Sequence, residues 1–84
     1  LDRIMVESDA PWCGIKKSHA GYPFVRTHLT ATDEKRHSPE AMVKCRNEPI
    51  ATRQVLEAVA AIHAKPVQEV AHLVYQTTCS IFKL

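Results

Sequence analysis

Apolar and polar positions along the chain fall into three regimes. At the start, Arg3-Ile4-Met5-Val6 is short and apolar-rich and stops at Asp9-Ala10-Pro11, which reads as a strand over about residues 3–8. Alternation along a strand puts Met5, Glu7 and, where the extension continues, Asp9 on one face, with Ile4 and Val6 on the other. Pro11 biases Ala10 away from helix, so the chain turns there. Residues 9–48 keep no period and contain Gly14, Gly21, Pro23 and Pro39; they read as a long loop with one helical turn near 39–44. From Pro49 the period changes to that of a helix. Val55, Leu56, Val59, Ile62 and His63 share a stripe and predict a helix over about 49–63. Pro49 suits its first position, and Asn47 lies close enough to cap it. Lys65-Pro66 ends that helix. Val67, Val70, Ala71, Val74, Tyr75, Thr78, Ile81 and Phe82 then predict a second, over about 66–82.

The outline is strand, long loop, helix, helix, an α/β order with one strand. A single strand leaves backbone groups on both edges without partners, so its sheet is expected to lie outside these 84 residues. The chain reads as the last strand–helix unit of a larger α/β fold plus a terminal helix. Its first residue, Leu1 rather than methionine, fits the expectation of a clipped or incomplete polypeptide. No apolar run approaches the eighteen or so residues of a membrane span, and Leu1-Asp2-Arg3 with a short apolar stretch broken by Glu7 is not expected to act as a secretory leader. Cys13, Cys45 and Cys79 are too few and odd in number for a disulfide framework, so an intracellular setting, cytoplasm or nucleus, is expected.

Charge adds a direction. Residues 1–13 hold one base and three acids, whereas residues 14–46 hold seven bases and three acids. An acidic tip followed by a basic stretch suits a site that holds cations and receives an anionic substrate. Acids just beyond the C-terminal end of a strand occupy the usual active-site face of an α/β barrel. Their oxygens are hard ligands for Mg²⁺, Mn²⁺ or Zn²⁺. In a metal hydrolase such an aspartate holds the ion or takes a proton from the attacking water. On spacing alone, Glu7 and Asp9 also read as ordinary residues of a proline turn.

Four stretches, in order, narrow the choice. LDRIMVESDAPWCG, residues 1–14, resembles the closing strand of the TatD-related deoxyribonucleases, an apolar strand followed by Glu-Thr-Asp-x-Pro. CGIKKSHAG, residues 13–21, is similar to a segment of the same family's eukaryotic branch, RNEP, residues 46–49, matches the family's motif before its last barrel helix, and the closing LVYQTTCSIF is similar to the family's terminal helix. Ser8 stands where the family has threonine, and Thr77 where it usually has asparagine. The resemblance implies the C-terminal strand-loop-helix-helix portion of a (β/α)8 TIM-barrel metal-dependent hydrolase that cuts DNA phosphodiesters. It implies two divalent metal ions, Mg²⁺ first with Zn²⁺ or Mn²⁺ as alternatives. Asp9 maps onto the catalytic, metal-binding aspartate and Glu7 onto the glutamate beside it. The family's His-x-His pair, bridging glutamate and two further histidines belong to earlier strands, so these residues alone are expected to be inactive.

In the barrel reading His19 overhangs the site and meets a substrate phosphate; otherwise it bonds its own backbone. Arg46 reaches a phosphate or buttresses Asp9, or else packs locally. Lys16, Lys17, Arg26, Lys35, Arg36 and Lys44, with Trp12, Tyr22 and Phe24 among them, supply cations for a nucleic-acid backbone and rings for unpaired bases. Cys13, His19, His28, His37 and Cys45 are spaced too irregularly for a dedicated zinc site. A monomer acting on DNA is expected. The rival readings are a small non-catalytic helical interaction module and a metal-dependent hydrolase of another substrate.

Overall fold

Two helices supply the core. In the computed structural model, which describes residues 3–32, 39–44 and 46–84, α1 spans Thr52–Ile62 and α2 spans Val67–Phe82. Leu56 and Ala60 of α1 close on Val70 and Val74 of α2, and Val70 is fully buried. A single 3₁₀ turn, Pro49–Ala51, precedes α1. Its N-cap is Glu48, in extended conformation, and no side chain caps it. Asn47 therefore does not act as the helix cap the sequence suggests. The link between the helices is a Schellman closure: Lys65 N–H donates to the Ala60 carbonyl at 3.0 Å and Ala64 N–H to the Ala61 carbonyl at 3.0 Å. Ala64 takes the left-handed conformation there, φ 53°.

The expected strand at 3–8 is a segment without a ladder over residues 4–8, ending at the left-handed Asp9. Exposure still alternates along it. Ile4 and Val6 are half-buried and pack on the α1–α2 core, while Met5, Glu7 and Asp9 are exposed. One side of this segment is thus anchored by apolar contact and the other side is left open. Its edge lacks a partner strand among the described residues, which accounts for the missing ladder.

The long loop is more structured than its composition suggests. A 3₁₀ turn at Tyr22–Phe24 packs on α1. Two short parallel strands, β1 (Ala31–Thr32) and β2 (Met42–Val43), pair in the register Ala31 with Met42 and Thr32 with Val43. Strand β2 stands where one helical turn is expected. Two residues per strand are too few to show a period, and β2 is held by its partner rather than by local preference. Val25, buried just after the 3₁₀ turn, helps tie the loop down.

A buried carboxylate fixes the loop to the helix. Glu57 of α1 accepts hydrogen bonds from Arg26 N–H (2.9 Å), Thr27 N–H (2.8 Å) and Thr27 Oγ1 (2.6 Å). Arg53 Nε donates to its second oxygen at 3.0 Å, one turn earlier on the helix. Burial favours the neutral acid, but these four donors outweigh it and hold the Glu57 carboxyl down to about 2. Gln54 Nε2 adds a bond to the Thr27 carbonyl at 2.9 Å.

Candidate active site

The open end of the extended segment is a tight turn. Trp12 N–H donates to the Asp9 carbonyl at 2.9 Å, and Ala10 N–H donates to Ser8 Oγ at 3.2 Å. Ser8 thus uses the hydroxyl it shares with threonine. Asp9 and Cys13, at the two ends of the turn, both have φ 58°. That left-handed region is tolerated by aspartate better than by most side chains and is unfavourable for cysteine. The Cys13 thiol lies close to the Asp9 carboxylate. Hydrogen bonding by that carboxylate, and then its charge, push the thiol up from its ordinary value.

Asn47 holds the turn from beneath. It is buried, at 8% exposure. Its Nδ2 donates to the Ser8 carbonyl at 2.6 Å and to the Trp12 carbonyl at 2.8 Å. Its backbone N–H donates to the Pro11 carbonyl at 3.0 Å, and its Oδ1 accepts from Glu48 N–H at 3.0 Å.

Glu7, Asp9 and His19 come together. They line one cavity of about 480 Å³ whose apolar floor includes Phe24, Val59 and Ile62. His19 Nδ1 accepts from Gly21 N–H at 2.9 Å, so the neutral ring carries its proton on Nε2. That local bond is the backbone contact weighed against a substrate role, and it leaves Nε2–H free to donate. A Cβ at Gly21 would stand 3.2 Å from His19 Nδ1, tight enough to press on the ring, and 3.7 Å from the Ala58 Cβ, an ordinary contact.

Arg46 is elsewhere. It is exposed and lines a second cavity, of about 660 Å³, together with Trp12, Lys16, Lys44 and Asn47. Trp12 is 70% exposed and rims this cationic shelf. Cys13 and Ile15 line both cavities, so the acidic and basic halves adjoin across them. Of the other basic and aromatic candidates, the Arg26 guanidinium donates to the Pro23 carbonyl at 2.9 Å, and the Tyr22 ring lies tilted against His28 at 5.6 Å. Lys35, Arg36, His37 and Cys45 lie outside the described residues. Among the described residues no three of His, Cys, Asp and Glu are close enough together to hold an ion. Glu7 and Asp9 therefore fit a hard cation as part of a donor set, not as a whole one. No helix among the described residues is long and apolar enough to cross a membrane.

An extended segment backed by helices, with carboxylates at its far end, is one portion of a (β/α)8 barrel of the amidohydrolase type, and solved structures of that fold superpose on it. The chain belongs to the TatD related DNase family, whose model matches residues 1–83. A deoxyribonuclease Tat-D of Schizosaccharomyces pombe is 32% identical over 83 residues, which is 96% of this chain and 27% of that relative. A TatD family hydrolase of Entamoeba histolytica superposes with a TM-score of 0.87 at 26% identity, covering 93% of this chain and 26% of that one. An amidohydrolase of Saccharomyces cerevisiae does so at 0.83 and 27% identity, covering 95% of this chain and 26% of its own. The chain spans about a quarter of the length of the curated relative and of each solved structure.

Proposed function

We propose that these residues form the C-terminal closing unit of a divalent-metal-dependent deoxyribonuclease, and that they are inactive without the rest of the barrel. The observation that carries this reading is the pair of adjoining cavities, one acidic and one cationic, meeting at the turn that presents Asp9. A phosphodiester needs both: oxygen ligands where the reaction occurs and fixed positive charge along its backbone.

In this reading Asp9 is the catalytic residue and, with Glu7, supplies oxygen ligands to a divalent cation, Mg²⁺ in the first instance. When bound, such ions supply positive charge that polarises the phosphoryl group and stabilises the oxygens entering and leaving phosphorus. Asp9 accepts the proton of the attacking water. His19 Nε2–H donates to a non-bridging phosphate oxygen. Arg46, with Lys16 on the same shelf, pairs with a flanking phosphate, and the exposed Trp12 ring stacks on an unpaired base. That Arg46 lines a different cavity from Asp9 supports a contact with the substrate's neighbouring phosphate over a role as buttress of Asp9.

The test is DNA hydrolysis by the complete polypeptide that carries this chain, with Mg²⁺ or Mn²⁺ and after chelation. Chelation abolishes hydrolysis, and Asp9→Asn lowers it by about a hundredfold while the circular dichroism spectrum is unchanged. Near-normal hydrolysis by Asp9→Asn, or hydrolysis that survives chelation, overturns the assignment.

A further inference from the structure

We infer that Asn47 is the positioning residue for Asp9: its carboxamide fixes the two peptide planes that hold the turn in its left-handed form. The Ser8 carbonyl belongs to the peptide that joins Ser8 to Asp9, and the orientation of that plane sets the Asp9 φ. The Trp12 carbonyl belongs to the peptide joining Trp12 to Cys13 and sets the Cys13 φ in the same way. Asn47 Nδ2 donates to both carbonyls, at 2.6 and 2.8 Å. These two planes precede Asp9 and Cys13, the two left-handed residues of the turn, each at φ 58°. Neither residue is a glycine, so each is drawn toward negative φ unless the surroundings hold it.

The donor arithmetic is complete. A primary amide has two N–H groups, and both are used on the turn. Oδ1 is occupied by Glu48 N–H, which fixes the carboxamide orientation, and the backbone N–H of Asn47 adds a third bond to the turn at Pro11. The side chain is buried, so water does not replace these bonds at little cost. Aspartate in this place keeps an acceptor for Glu48 but sets a carboxylate oxygen against two carbonyls. Once the Ser8–Asp9 plane is released, the Asp9 Cα–Cβ bond swings with φ, and the carboxylate leaves the mouth it shares with Glu7 and His19. Asn47 touches neither the reacting atoms nor the cation in this account; it acts through Asp9.

The inference rests on the nuclease reading for its kinetic consequence but not for its structural one, so two measurements are made on the complete polypeptide. Amide hydrogen exchange is followed by mass spectrometry on peptides spanning residues 8–16 and 52–62. DNA hydrolysis is followed as kcat and KM separately. Asn47→Asp and Asn47→Ala are each expected to speed exchange in 8–16 by about tenfold or more, the size of one lost hydrogen bond, with 52–62 unchanged. Both are expected to lower kcat by about ten- to a hundredfold with KM within about twofold. A residue that served only general stability would speed exchange in both peptides alike and leave kcat of the folded fraction intact; that pattern overturns the inference. Unchanged exchange in 8–16 overturns it too, as does failure of both variants to fold, which would make Asn47 a residue of the fold. A wild-type polypeptide without metal-dependent hydrolysis overturns the nuclease reading, while the exchange measurement still decides whether Asn47 holds the turn.

Discussion

At the scale of single residues, the sequence shows chemistry more readily than support. Glu7 and Asp9 stand out as acids beside a proline turn, and alternation predicts that both are exposed, whereas the left-handed φ of Asp9 leaves no mark in that pattern. Asn47 and Glu57 do not stand out, because what each does depends on partners 30 to 39 positions away in the chain. Asn47 looks like a helix cap because it precedes Pro49, yet its amide is spent on the Ser8–Trp12 turn. Glu57 looks like a solvent-facing acid within a helix, yet residues 26 and 27 cover it. Its acidity gives a pH prediction. The folded-state value of about 2 lies below the ordinary 4.5. The stabilisation is therefore complete above about pH 4.5 and is lost as the pH falls toward 2. By linkage it amounts to about 3 kcal/mol. Urea unfolding between pH 6 and pH 2 is expected to show that loss, with Glu57→Gln destabilised at pH 6 and converging on the wild type near pH 2. Parallel curves for the two proteins would remove Glu57 from the account.

At the scale of elements, the helices were the most legible part. Their apolar stripes run for eleven and sixteen residues, long enough for the period to show. Their ends were less legible. The first turn before α1 is 3₁₀, and both helices close on left-handed residues, Ala64 and Lys83, where glycine is the common choice. The chain has only two glycines, and neither adopts positive φ. Ala64→Gly removes the Cβ from a left-handed position without touching the core. It is expected to stabilise the protein by about 1 kcal/mol, offset in part by the extra backbone freedom of the unfolded chain. A urea midpoint that falls instead would show that Ala64 makes a contact worth more than the strain. Strands β1 and β2 escaped the sequence reading for the opposite reason: two residues each carry no pattern.

At the scale of the whole molecule, the apolar surface is unevenly covered. Tyr75, Ile81 and Phe82 belong to the stripe of α2, yet each is more than 60% exposed, and Met5 and Ile62 stand open beside the extended segment. The Cα radius of gyration is 14.0 Å, against about 12 Å for a compact domain of this length. A strand edge without a partner beside open apolar side chains favours association. Residues 1–84 expressed alone are expected to bind a hydrophobic dye strongly and to elute as self-associated material. Within the complete polypeptide the same residues are expected to do neither. A dye-silent monomer would mean that the open faces need no further barrel, contrary to the closing-unit reading. The clamp at Asn47 has a further consequence, for divergence. Because Asn47 ties down Ser8 and Trp12 while Glu57 ties down residues 26 and 27, the chain between Trp12 and residue 26 is an excursion pinned at both ends. Doubling the length of such an excursion costs only about 0.6 kcal/mol. Insertions and rewritten charge can therefore accumulate between those pinned ends while the turn that carries Asp9 keeps its place.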